Sequence, residues 1–200
     1  KPLGDPKLIK FTTGRRRKQW YKNVVAVGLS SGFLEPLEST SIHLIQSAIV
    51  RLIQLFPHNG FAPSLETEYN KQSELEFEQI RDFLVLHYTV NERTDSAFFN
   101  DMRNITLPDS LAHKITLFKE SGNLLREQND LFLESSWLQV LYGQGITPKD
   151  YHGLVNSVPE VQLNQMLTRL LEIKKEPIAK LPTHDEYING MVAKYKRAMS

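Results

Sequence analysis

The hydrophobic pattern of the chain changes near residue 40. Before that point, residues 9–13 form a short β-prone stretch, and residues 23–28 form a compact apolar run that ends in a glycine. Short apolar runs that are bounded by turns are typical of buried strands. We therefore predict one or two strands in this first part of the chain.

From Thr40 onward, apolar residues recur at intervals of three and four, which is the spacing of an amphipathic helix. The apolar positions of the first predicted helix, which ends at Pro57, are Ile42, Ile45, Ile49, Ile53 and Phe56. Further helices are predicted at about residues 66–88, 96–103, 108–119, 133–143, 163–177 and 183–195. The last one opens with Thr183 and Glu186, a capping box in which each side chain bonds the other residue's backbone amide.

These elements predict a mainly α protein whose strands are too few for a sheet of their own. Two lone strands are not stable in water, so they need partners that the chain does not contain. We therefore expect a helical region that follows one or two strands whose sheet partners lie outside this chain. The change of pattern divides the chain into residues 1–40, with the strands, and residues 41–200, with the helices.

Composition and charge narrow the range of functions. The chain has 200 residues, of which 40% are hydrophobic, and its net charge is +1. A nearly neutral chain argues against a dedicated nucleic-acid binder, and no apolar run approaches the roughly 20 residues of a membrane span. The lack of Cys excludes thiolate chemistry and fits a cytoplasmic protein. The six His residues have no metal-binding spacing, so no metal site is predicted.

Two polar features allow more than one interpretation. Residues 15–18 are a basic run that could contact phosphates, with Trp20 stacking nearby, or could form a solvated face or local ion pairs. The net charge favours the second interpretation. His87 lies on the apolar face of the second predicted helix, where we expect a hydrogen-bonded core residue.

The most unusual segment is residues 28–41, which joins the second predicted strand to the first helix. Gly28 and Gly32 let the backbone approach other groups closely, and residues 39–41 supply N-cap candidates. The first amides of a helix are unpaired and lie at the positive end of its dipole, so they form an anion site. Glu38 directly precedes them. The alternative is a plain helix start, where the dipole favours an acidic residue.

Several segments together closely resemble the flavin-dependent tryptophan halogenases. They are residues 11–17 with Trp20 and Asn23, residues 28–45, residues 83–88 with Arg93, Asp95 and Phe98, residues 137–140, residues 143–145, and residues 182–185. The resemblance extends over essentially the whole chain. Its central motif, residues 28–45, is long enough to be specific.

The resemblance implies an activity. Members of this family use reduced FAD and O2 to oxidise halide to hypohalous acid, which halogenates an aromatic ring, typically the indole of tryptophan. It implies that Glu38 is the catalytic carboxylate and that the backbone amides of Thr40 and Ser41 bind chloride or bromide. Many members have Gly where this chain has Ser41, a change that keeps the amide donor. It also implies flavin contacts at Leu29 and Ile42, and a flavin reductase as the source of reduced FAD.

The substrate pocket is less determined. Trp137 and Tyr142 lie in the region where the family places the aromatic residues of its tryptophan pocket, and Ser135 and Ser136 lie beside them. Serines would widen the pocket for free indole or a larger aromatic substrate. Core packing of Trp137 is the alternative.

Other features of the family are missing. The chain has no G-x-G-x-x-G fingerprint, no W-x-W-x-I-P signature and no match to the catalytic Lys, and it does not begin with Met. We therefore expect the C-terminal part of such a halogenase, which needs the N-terminal FAD-binding portion of the same enzyme. The resemblance implies that residues 1–40 supply strands that complete the FAD-binding α/β module, which otherwise lies outside this chain, together with its active-site turn. It implies that residues 41–200 form a helical substrate-binding subdomain. A homodimer is also allowed. The alternative is a non-catalytic helical interaction or scaffold fragment derived from that family.

Overall fold

A computed structural model of the protein describes residues 3–127 and 130–199. The fold is mainly α, as predicted. Its contacts define two compact units, one that extends to Tyr151 and one that begins at His152. The division at residue 40, which concerns functional parts of a larger enzyme, stays a prediction.

The helices predicted for the first unit are confirmed. The described residues form α1 (Ser41–Gln54), α2 (Pro63–Thr89), α3 (Ala97–Arg103), α4 (Asp109–Ser121) and α5 (Glu134–Gly143). Helix α2 begins a few residues earlier than expected, at Pro63. Proline suits a first helical position because its φ is already helical and the amide that it lacks would have no partner there.

The strand prediction is only partly right. The strands are β1 (Gly14–Arg15), β2 (Trp20–Tyr21), β3 (Val24–Val25) and β4 (Gly32–Phe33), and β1 pairs with β4 and β2 with β3, both antiparallel. Residues 9–13 are exposed and form no strand, and the expected buried strand at residues 23–28 shrinks to β3, whose Val24 is exposed. A strand extends only where a neighbour pairs with its backbone, and β3 meets a partner of two residues.

The core of the first unit lies where α2 packs against α4 and α5. Phe83 of α2 is at its centre, with 1% of its surface exposed. Its ring stacks on Phe132 at 3.9 Å between centroids and meets Trp137 at 4.9 Å with the planes inclined by 64°. Other buried members are Phe77, Ile80, Leu86, Leu111, Ile115, Phe118 and Leu141.

The buried face of helix α1 is not the face that carries its apolar stripe. Leu44, Ala48 and Arg51 are buried, and the Arg51 guanidinium donates to Ser73 Oγ at 2.7 Å and to Glu76 Oε2 at 2.8 Å. The exposed stripe consists of Ile42, Ile45, Ile49, Ile53 and Phe56. Stable globular proteins bury such a stripe, so α1 presents an apolar surface that the described chain leaves open.

The second unit contains the helices α6 (Glu160–Lys180) and α7 (His184–Met199). The capping box is confirmed: the Thr183 amide donates to Glu186 Oε2 at 2.8 Å, and the Glu186 amide donates to Thr183 Oγ1 at 3.3 Å. The prediction that Pro177 ends a helix is wrong, because α6 continues through it to Lys180. A proline removes one helical hydrogen bond. Pro177 lies only three residues before the end of α6, so this loss affects only the last turn of the helix. Across residues 3–127 and 130–199, no helix combines the length and apolar character needed to span a membrane.

Candidate active site

Two glycines shape the loop ahead of α1. Gly28 has a φ of +66°, in the left-handed region that favours glycine. At Gly32, a Cβ atom would lie 2.7 Å from the Gly14 carbonyl oxygen and 2.9 Å from both Arg15 Cα and the Phe77 ring. The close backbone approach expected from the sequence is therefore present at Gly32, and its partners are β1 and α2.

The chain then enters α1 through a strained turn. The single 3-10 turn Leu37–Ser39 leads directly into the helix. Glu38 and Ser39 have φ values of 62° and 52°, a region that costs a residue with a side chain about 1–2 kcal/mol. Such a conformation persists only where surrounding contacts hold it. The placement of Glu38 is thus imposed by tertiary contacts and not by local preference.

Two consecutive residues near the end of α2 hold this turn. The Tyr88 hydroxyl donates to both carboxylate oxygens of Glu35, at 2.8 and 3.0 Å. His87 Nε2 lies 3.1 Å from Glu38 Oε1. Burial and then the neighbouring Glu35 raise the pKa of Tyr88 above its ordinary 10.0, so the hydroxyl keeps its proton and donates at neutral pH.

A cavity of about 210 Å³ lies between the glycine loop and the first turn of α1. Leu29, Thr40 and Ser41, three of the residues singled out from the sequence, line it together. Thr40 is 2% exposed. The first amides of a helix have no intrahelical acceptor and lie at the positive end of its dipole, and halide binding by the amides of Thr40 and Ser41 stays a prediction.

Leu29, which lines this cavity, and Ile42 of α1 both present exposed apolar side chains. Leu29 is 75% exposed, and Ile42 follows Ser41 on the open side of α1 and is 70% exposed. Covering exposed apolar area stabilises a complex in proportion to the area removed from water. Contact of these two side chains with a flavin stays a prediction.

The two pocket candidates on α5 have different environments. Trp137 is 3% exposed, and the Lys114 ammonium lies 4.2 Å from its ring centroid. Tyr142 is 62% exposed. The burial of Trp137 favours the core-packing alternative, and substrate contact by either residue stays a prediction.

The basic run at residues 15–18 has local partners. Arg15 forms an ion pair with Glu74 of α2, and Lys18 Nζ lies 3.1 Å from Glu66 Oε1. The Arg16 guanidinium donates to the Ser30 carbonyl oxygen. These contacts attach the strand segment to α2 and to the glycine loop, which favours the ion-pair interpretation of the run.

Sequence reasoning missed the contacts that hold the turn. His87 is hydrogen-bonded, as expected, because its Nδ1 lies 2.8 Å from the Phe83 carbonyl oxygen, but its contact with Glu38 was not predicted. Neither was the pair of Tyr88 with Glu35. The only available signal was that residues 35–38 and residues 87–88 both fall in segments that match the same family.

Comparison with known proteins identifies the class to which this fold and site belong. The sequence model of the family described as tryptophan halogenase matches residues 1–160. The chain therefore belongs to the tryptophan halogenase family, as the resemblance implied. Members of this family are flavin-dependent halogenases.

Individual relatives agree with this assignment. Xcc4156, a flavin-dependent halogenase from Xanthomonas campestris, is 44% identical with a TM-score of 0.86, and the match covers 94% of this chain and 38% of that one. BrvH, a flavin-dependent halogenase from Brevundimonas sp. BAL3, is 41% identical, also with a TM-score of 0.86 and with coverage of 94% and 38%. The tryptophan 6-halogenase SttH from Streptomyces toxytricini is 38% identical over 141 residues, which are 68% of this chain and 27% of that protein.

The chain spans little more than a third of these halogenases. The tryptophan 7-halogenase RebH from Lentzea aerocolonigenes shows the same proportion, since the match covers 90% of this chain and 37% of that protein at 27% identity. The mainly α fold thus corresponds to one part of a larger halogenase.

Proposed function

We propose that this chain is the C-terminal part of a flavin-dependent halogenase that uses reduced FAD, O2 and chloride or bromide to halogenate tryptophan or a related indole. The observation that carries the proposal is the position of Glu38. Its carboxylate is held in a strained turn directly ahead of a helix start. The first residues of that helix, Thr40 and Ser41, line a cavity suited to a small anion.

The cofactor supplies the oxidant, and this chain supplies contacts. When bound, reduced FAD with O2 and one proton turns halide into hypohalous acid and water, because O2 takes two electrons from the flavin and two from the halide. Leu29 and Ile42 cover part of the flavin through apolar contact. The amides of Thr40 and Ser41 hold the halide before it is oxidised.

Glu38 acts on the substrate side. As the carbon–halogen bond forms, the oxygen–halogen bond of the hypohalous acid breaks and releases hydroxide. The ring carbon then gives its proton to the Glu38 carboxylate, which restores aromaticity. The proton finally combines with the hydroxide as water, and the 36% exposure of the Glu38 side chain allows this exchange. A base needs an ionised carboxylate within hydrogen-bond reach of its substrate, directly or through one water.

The test is Glu38→Gln in the complete enzyme, supplied with a flavin reductase, NADH and bromide. Brominated indole or tryptophan is measured by mass spectrometry. We expect kcat to fall by about 10²-fold or more, the scale of general acid–base catalysis. Glu120→Gln, at an exposed carboxylate of α4, is the matched control and keeps the wild-type rate. Wild-type turnover by the Glu38→Gln variant with saturating reduced flavin would contradict the proposal.

The same assay distinguishes an enzymatic role from a non-catalytic one. If the wild-type protein gives no product across a panel of aromatic substrates, the scaffold interpretation replaces the enzymatic one. The proposal also includes a flavin reductase as the source of reduced FAD, the N-terminal FAD-binding portion of the same enzyme, a homodimer and a cytoplasmic location.

A further inference from the structure

The two ring nitrogens of His87 have different partners, which determine where its hydrogens lie. Nδ1 lies 2.8 Å from the Phe83 carbonyl oxygen, and a carbonyl oxygen only accepts, so Nδ1 carries a hydrogen. Nε2 lies 3.1 Å from Glu38 Oε1. This is the distance of an ion pair when the imidazole carries a hydrogen on both nitrogens. The contact places the imidazole ring and the carboxylate side by side.

The support behind His87 is rigid. Its Nδ1 partner is the backbone of Phe83, a residue that is 1% exposed at the centre of the core. The His87 ring also meets the Phe83 ring edge-on at 4.8 Å between centroids. In contrast, Glu38 lies in a turn whose backbone conformation is locally unfavourable. The contact with His87 thus joins a strained segment to a helix that is anchored in the buried core.

We propose that His87 is a positioning residue for Glu38. His87 Nε2 faces Glu38 Oε1 at ion-pair distance, which favours one orientation of the carboxylate and leaves Oε2 as the oxygen that accepts the ring proton. Groups that orient a catalytic side chain in this way act without touching the substrate, and misplacement by 1 Å can cost about 10²-fold in rate. This role rests on the halogenase function proposed above.

The first experiment observes the contact without any turnover. The complete protein is labelled with ¹⁵N-histidine, and the ring N–H groups of His87 are followed by NMR in the wild type and in Glu38→Ala. We expect two ring N–H signals protected from solvent exchange in the wild type. In the variant, the protection of Nε2–H is lost, whereas that of Nδ1–H persists. A wild type without Nε2–H, or protection that is unchanged in Glu38→Ala, would overturn the proposal.

The second experiment measures kcat and KM of halogenation. We expect His87→Ala to lower kcat by about 10- to 10²-fold and to leave KM for the aromatic substrate within about twofold. His87→Gln carries an amide N–H that reaches the same position, so it recovers a large part of the lost rate. His43→Gln is the matched control, because His43 Nε2 lies 3.0 Å from Glu76 Oε1 in a similar pair that does not include Glu38, and it keeps the wild-type kcat.

The outcomes separate this inference from the proposed function. Wild-type kcat in His87→Ala, or a His87→Gln variant no faster than His87→Ala, refutes the positioning role while halogenation by the wild type stands. A wild type that makes no halogenated product refutes the proposed function and this role together, and the NMR experiment still decides whether the two side chains meet.

Discussion

Replacement of Gly32 by Ala tests how closely β4 approaches its neighbours. The added Cβ would lie 2.7 Å from the Gly14 carbonyl oxygen and 2.9 Å from Arg15 Cα and the Phe77 ring, where ordinary contact begins at 3.4 Å. Two of these three atoms belong to the backbone and cannot rotate away. Overpacking of this kind costs about 1–3 kcal/mol, and we expect the upper half of that range.

Amide hydrogen exchange in the complete protein measures this loss locally. The reporter is the Arg16 amide, which donates to the Ser31 carbonyl oxygen at 2.8 Å beside the β1–β4 pair. A loss of about 2–3 kcal/mol speeds exchange through local opening by roughly 30- to 150-fold, since each 1.4 kcal/mol is a factor of ten. Gly32 also lines the cavity beside Thr40. We therefore expect the variant to bind halide more weakly, so that half-maximal turnover requires a higher halide concentration.

Gly143→Ala is the control for this change. No heavy atom lies within 4 Å of the Cβ that it adds at the end of α5, and alanine is favoured over glycine in a helix by up to about 1 kcal/mol. Exchange at Arg16 should be the same as in the wild type. If Gly32→Ala also leaves the Arg16 exchange rate within about twofold of the wild type, the close approach of β4 to β1 is refuted.

Two further predictions concern the core. Phe83→Ala removes the ring that stacks on Phe132 and should lower the free energy of unfolding by about 3–5 kcal/mol, measured by denaturant titration; a loss below about 1 kcal/mol would contradict its central place. Burial raises the pKa of Asp130 above its ordinary 3.8, although the Phe132 amide and Lys114 oppose this shift. Because the folded pKa is the higher one, this group's contribution to stability falls as pH rises from the unfolded pKa to the folded one. In the wild type, the Phe132 amide donates to Asp130 Oδ1 at 3.1 Å. Asp130→Asn keeps this acceptor but removes the charge, so the melting temperature of the variant at pH 7 should equal or exceed that of the wild type. A clear decrease would show that the ion pair of Asp130 with Lys114 outweighs the cost of burying the charge.

The helices could be predicted because their signal is local. Spacings of three and four, Pro63 at a helix start and the Thr183–Glu186 capping box each act within one or two turns of backbone. The strands could not be predicted in the same way. Their extent depends on a partner distant in sequence, and β1 to β4 each pair over two residues. The apolar run at residues 23–28 therefore indicated a longer and more deeply buried strand than the structure contains.

The candidate site also has some features that depend on local sequence and others that depend on tertiary packing. The anion-binding potential of Thr40 and Ser41 follows from the position of a helix start, which the sequence shows. The burial of Trp137 depends on where α4 and α5 meet α2, so the sequence left its role open between substrate contact and core packing. The family resemblance indicated which residues matter, but not what holds them.

The sequence alone determined the succession of helices, the glycine turn before α1, and membership of a halogenase family through a long specific motif. These features depend on backbone propensity and on order along the chain. Only the tertiary structure decided that His87 and Tyr88, adjacent on α2, hold Glu38 and Glu35. It also showed that Glu38 adopts a left-handed backbone conformation beside those contacts. The physical reason is that a contact between distant residues is set by the packing of whole elements, here α2 against the turn before α1, and no spacing in the sequence encodes it.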